Sequence, residues 1–255
     1  MTPHPDQALS DWLLASADDE MVLAHRDSEW TGHAPILEED IAFANLALDE
    51  MGHASLWFGA LAELRGEDRA EYTDRLVFFR SAQEFRNIQM VELPRGDWAF
   101  SMVRQYLFDE AELLRLARLA HSQSEPIAQI AVKVQKEEIY HVRHTHAWIR
   151  RLGLGTEESR QRCQAALDEL WPFAQQLFST EEGAKVLVRD GIVPDPTEVR
   201  LAWEGVVGKN LTESGLMAPT AHEGVPLRRD EHTPHLTSLL AEMQSVARTE
   251  PSAVW

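Results

Sequence analysis

Two Glu-x-x-His steps stand out in the sequence, Glu50 with His53 and Glu138 with His141. A carboxylate and an imidazole three residues apart share one face of a helix, where both can reach the same cation. Two such steps, with one further Glu from each of two other helices, make the six-ligand cage of dimetal carboxylate bundles. The chain has eleven His, and Glu is roughly a tenth of it, so about one such step is expected by chance. The weight therefore rests on where the steps fall.

Each falls in a long helical pattern. A first helix is expected from about Asp6 to His25, with Leu9, Trp12, Leu13, Leu23 and Ala24 on its apolar stripe. Glu20 lies in that stripe, with Asp18 and Asp19 beside it. A Glu there is either half-exposed at the helix edge or buried, and a buried one must be paired, protonated or metal-bound. A second helix runs from Pro35 to Arg65 and stops at Gly66. Phe43, Leu46, Trp57, Leu61 and Leu64 share its stripe with Glu50 and His53, and Ile41, Leu48, Met51 and Phe58 make the other side apolar too, which predicts a central helix. Helix three is expected from Trp98 to about Ala120, capped by Asp97. Its stripe centres near Tyr106, which makes Glu110 the ligand candidate and Asp109, nearer the edge, its substitute; Glu112 lies outside. Helix four, Pro126 to Leu152, carries Ile127, Ala131, Val134, Glu138, His141, Thr145, Trp148 and Leu152 on one face.

The halves match. Glu20 precedes Glu50 by 30 residues and Glu110 precedes Glu138 by 28, a repeated helix pair carrying a single Glu and then Glu-x-x-His. Four acids converging in a core would repel and hold protons; a pair of dications removes that conflict. The candidate metal ligands are Glu20, Glu50, His53, Glu110, Glu138 and His141. Carboxylate and imidazole donors suit iron or manganese, and the lack of thiolates argues against structural zinc.

The remaining chain is read as helical pieces. One or two helices fall between Glu67 and Leu93, and a fifth long helix runs from Thr156 to about Phe178, bent at Pro172. A short helix is expected around Leu201, Trp203 and Val206, a loop from Gly208 to Arg229, and a last helix from His235 to Arg248. The tail to Trp255 is expected to be mobile or docked on a partner. The expectation is one all-α domain over residues 1–255, with a four-helix core at about 6–152 and a helical extension at about 156–255.

Bulk composition narrows the function. The chain has 255 residues and a formal charge of −18, from 42 acids against 24 bases. This argues against nucleic-acid and anionic-membrane partners. A single Cys, Cys163, suits a reducing cytoplasm. No apolar run reaches the roughly 18 residues of a membrane span, and the start, with Asp6 and Asp11, lacks a basic signal-peptide region. No stretch identifies a CoA pocket; Arg150, Arg151, Arg228 and Arg229 are read as scattered surface charge.

Several stretches carry a resemblance: Glu29-Trp30-Thr31-Gly32-His33-Ala34-Pro35, the Leu46-to-Ala54 run, Arg104-Gln105-Tyr106, Tyr140-His141 and the segment Pro234 to Gln244. By these the chain resembles the C subunits of phenylacetyl-CoA epoxidases, the multicomponent monooxygenases of phenylacetate catabolism. The resemblance implies a ferritin-like antiparallel four-helix bundle with extra C-terminal helices, and a cytoplasmic complex with a homologous catalytic A subunit. That A subunit carries the diiron centre, and a separate reductase supplies its electrons. It also implies that Glu50 and Glu138 would bridge a metal pair. The best-known C subunits have lost their metal ligands, whereas all six positions here remain ligand-competent. Three roles follow: a non-catalytic subunit that supports the A subunit and needs no metal, an oxygen-activating dimetal enzyme in its own right, and a ferritin-like metal-binding protein. The eight Trp either line partner surfaces or fill a large core. Self-association is a further expectation.

Overall fold

The computed structural model of the chain describes residues 5–179, 183–219, 225 and 228–251. In chain order the helices are α1 (Pro5–Ser28), α2 (Leu37–Arg65), α3 (Arg69–Phe78), the single-turn α4 (Gln89–Glu92), α5 (Trp98–Leu119), α6 (Glu125–Gly153), α7 (Glu157–Ala174), α8 (Ala184–Arg189), α9 (Pro196–Glu213), α10 (Pro234–Met243) and α11 (Ser245–Thr249). No strand occurs among the described residues, so the all-α class expected from the sequence is what forms. The chain divides into two compact units, Asp6–Pro94 with Arg228–Trp255, and Met1–Pro5 with Arg95–Leu227.

In the first unit α1 and α2 run antiparallel. Gln7 meets Arg65 at 3.0 Å, Trp12 sits edge-on to Trp57 at 5.6 Å, and Glu20 lies across from His53. Small residues let neighbours approach α1 closely, and it is buried on every side from Ala15 to Glu20. The central helix of this unit is thus α1 rather than α2. Ile41, Leu48 and Met51 of α2 stay exposed, at 55 %, 64 % and 41 %, while Phe58 is buried. The sequence pattern alone places those four together inside. Gly66 ends α2 in the left-handed region (φ 69°), and the Glu67 amide returns to the Ala62 carbonyl at 3.0 Å, a closure that favours glycine.

The segment between α3 and α5 and the C-terminal helices are tied to α1 by charge. Asp18 accepts from Arg80 and from the Arg86 amide. Asp19 accepts from the Ile88 amide and Arg229. Helical spacing puts Asp18 and Asp19 beside the stripe, yet both are buried. Guanidinium groups brought from 62 and 210 residues away compensate them, and no periodicity shows that. Arg229 is accordingly an internal ion-pair partner, not scattered surface charge. Buried Glu92 receives His232 at 2.6 Å, the Thr233 amide at 2.6 Å and Asn87 at 3.0 Å. Gln244 donates to the Val77 and Arg80 carbonyls. Of the expected tail, Thr249 closes α11, and residues 252–255 lie outside the described residues.

In the second unit α5 and α6 are antiparallel, with Trp98 edge-on to Trp148 at 5.3 Å and Asp109 beside Thr145. α5 is buried from Ser101 through Glu112. α7 and α9 pack on it. The Trp203 indole donates to the Leu107 carbonyl at 3.0 Å and stacks on Trp171 and Phe178. The expected loop from Gly208 is instead helix as far as Glu213. A glycine costs about 1 kcal/mol in a helix, and the burial of Val207 and Leu211 on either side outweighs it. At the end of α6 a Cβ on Gly153 would lie 2.1 Å from the Ser214 carbonyl oxygen, so only glycine allows that approach. Of the seven described Trp residues, Trp30, Trp57, Trp171 and Trp203 are buried and fill the core, while Trp12, Trp98 and Trp148 are half-buried.

Candidate metal centre

All six predicted ligands point inward. Glu20, Glu50, His53 and Glu138 are fully buried, His141 is 3 % exposed and Glu110 4 %. Glu20 is therefore not the half-exposed residue that a helix-edge position would give.

The first unit brings three of them together. Glu20 from α1 and Glu50 and His53 from α2 each offer a ligand atom, and these atoms lie within 4.8 Å of one another. His53 Nδ1 is 3.3 Å from Glu50 and 3.7 Å from Glu20. The helical register of α2 provides the first contact and the antiparallel pairing with α1 the second. Burial alone would lower the His53 imidazole, but the two facing carboxylates overcome this and push it up to about 12. Without a metal this cluster holds its charge through a protonated imidazole.

The second unit carries the matching Glu-x-x-His step, without a third ligand atom of its own as close among the described residues. His141 Nδ1 is 3.2 Å from Glu138 on the same face of α6. Glu110 of α5 is near enough to Glu138 to feel its charge. Burial, reinforced by that charge, raises the Glu110 carboxyl to about 7, although a hydrogen bond from Asn210 opposes the shift. Burial and the nearby Glu110 also drive the Tyr106 phenol well above its ordinary value.

The other acids of α5 are otherwise engaged. Asp109 accepts from Gln105 at 2.7 Å on one oxygen and lies 3.1 Å from the Thr145 hydroxyl on the other. It is buried rather than at the edge, with both oxygens occupied, and leaves Glu110 as the ligand candidate. Glu112, expected outside the stripe, is buried and paired with Arg115 one turn on. Cys163 is buried in α7, and that burial, with Asp97 nearby, pushes its thiol up to about 12, so no thiolate is available. Asn210 is the residue that sequence reasoning missed. Its amide reaches Glu110 Oε1 at 3.1 Å from a stretch expected to be loop, and the one available signal was the apolar spacing of Val207 and Leu211.

A model of the phenylacetic acid catabolic protein family matches residues 1–255. The chain belongs to this family. It is 38 % identical over 248 residues to the C subunit of 1,2-phenylacetyl-CoA epoxidase from Escherichia coli (strain K12), a match that spans 97 % of this chain and 99 % of that relative. It is also similar to the A subunit of the same epoxidase, 26 % identical over 166 residues, which is 65 % of this chain and 52 % of that relative. The resemblance read from Glu29-to-Pro35 and the later stretches is thus borne out over the full length. No helix among the described residues is long and apolar enough to cross a membrane.

Proposed function

We propose that this chain is the C-type subunit of a ring-epoxidising phenylacetyl-CoA monooxygenase of aerobic phenylacetate catabolism. It pairs in the cytoplasm with a homologous diiron A subunit and supports it. The observation that carries this reading is the end-to-end match to an epoxidase C subunit. The partial match to the epoxidase A subunit fits a pair of related chains that assemble with each other. Co-expression with the cognate A subunit is expected to give one complex by size exclusion at micromolar concentration. Separate elution of the two chains would end the reading.

We further propose that Glu20, Glu50, His53, Glu110, Glu138 and His141 hold a pair of iron or manganese ions, within one ferritin-like domain. The support is chemical. Buried carboxylates and imidazoles with no thiolate are the donor set those metals prefer, and three of the six already share a space of ligand-cage size. Iron held there would supply dioxygen activation. The residues' own contribution is negative charge, fixed geometry and exclusion of water. The second reading, an oxygen-activating enzyme in its own right, is favoured by the inward placement of all six groups. Metal analysis of the chain purified alone after iron supplementation is expected to find close to two ions per chain. Less than about one metal per two chains overturns the dimetal reading, given a preformed site of ordinary affinity.

A further inference from the structure

Asn210 connects the C-terminal helices to the ligand set. Val207 and Leu211 bury one face of α9. Trp203 fixes the helix to α5 through the Leu107 carbonyl, and the close approach of Gly153 to the Ser214 carbonyl fixes its end. Between these anchors the Asn210 amide donates to Glu110 Oε1 at 3.1 Å and neighbours the buried Tyr106. An amide is a neutral donor. It binds one carboxylate oxygen without replacing the cation that the acid would take.

We propose that Asn210 is a positioning residue for the metal site. Its amide holds Oε1 of Glu110, which would leave the other oxygen, Oε2, as the one to meet the ions. Partners of this kind, which orient a ligand without touching the metal, typically change metal affinity 10- to 100-fold when removed. The inference rests on the dimetal reading above. It adds that the site needs an element beyond the four ligand-bearing helices, so that α9 is part of the metal centre rather than an appendage.

The test uses the full-length chain stripped of metal and titrated with Mn2+ alone, free Mn2+ being counted by its EPR signal. Wild type should bind two ions. Asn210→Ala, and Asn210→Leu as a variant of similar volume that lacks the donor, should keep the wild-type circular dichroism and melting temperature within a few degrees. Both should bind one ion with wild-type affinity and the other at least tenfold more weakly. A merely structural role for Asn210 would lower the melting temperature or weaken both ions alike, and either result overturns the proposal. Two ions at wild-type affinity in a folded variant overturn it as well, while leaving the dimetal reading intact. If wild type itself takes up no Mn2+, the dimetal reading fails first and this inference falls with it.

Discussion

Glu110 shows what a proposed ligand position costs without an ion. Its carboxyl is raised from 4.5 to about 7. The folded chain therefore holds a proton that the unfolded chain gives up at lower pH, and stability from this group is full below pH 4.5 and lost as pH rises through about 7. At about 1.4 kcal/mol per unit the loss is roughly 3 kcal/mol. Glu110→Gln, which cannot ionise, should make the metal-free protein more stable than wild type at pH 8 and nearly equal to it at pH 4.5. Urea melts at both pH values would show this, and an equal or lower midpoint for the variant at pH 8 would refute it. His53 adds a trend of the same sign. Its folded value, raised from 6.5 to about 12, gives stability that is full below pH 6.5 and erodes as pH climbs toward 12. A side chain whose neutralisation stabilises the fold is kept for another reason, and the proposed metal binding would supply one. Glu110 was legible in the sequence because it sits mid-stripe one turn after Tyr106. What Asp109 does instead was not, since that depends on where Gln105 and Thr145 point.

Among the elements, the four long helices were legible because their apolar residues recur at helical spacing and their ends carry Asp97, Gly66 and Gly153. What periodicity cannot give is which apolar face the chain itself covers, and so it places Ile41, Leu48 and Met51 inside. Nor can it foresee an ion pair such as Arg80 with Asp18, closed across 62 residues. This pair has a measurable consequence. Arg80→Ala leaves the Asp18 carboxylate buried without its guanidinium, a change that typically costs roughly 3–5 kcal/mol. The Arg80 carbonyl, which the variant keeps, receives Gln244 and Arg248; without the side-chain anchor to hold it in place, earlier proteolysis near α10 should accompany the loss. A midpoint within about 0.5 kcal/mol of wild type would show that the pair adds nothing, as is common for exposed pairs. In the other unit, Gly153→Ala sets a Cβ against the Ser214 carbonyl. Overpacking of this kind costs about 1–3 kcal/mol, and chemical denaturation should register it; a neutral result would mean that the end of α9 moves freely.

For the whole molecule the two proposed roles, support of a catalytic partner and possession of a metal pair, make separable demands. The fold is held by apolar and aromatic contacts, Trp12 on Trp57, Trp98 on Trp148 and Trp203 on Trp171, and none of these involves a ligand side chain. The double change Glu50→Ala, Glu138→Ala removes one buried acid from each Glu-x-x-His step and leaves those contacts in place. It relieves repulsion among the buried acids, but it takes from His53 and His141 the carboxylates that face them and opens two small voids, so the metal-free variant should melt cooperatively but below wild type. Metal binding should vanish, because each remaining His loses the carboxylate one turn away. Assembly with the A subunit should survive at wild-type stoichiometry by size exclusion. If instead the double variant folds and melts cooperatively but no longer co-elutes with the A subunit, metal and assembly are one function. The charge state of the buried acids would then be what sets the docking surface, and a scaffold that merely retains its ligands would no longer describe this chain.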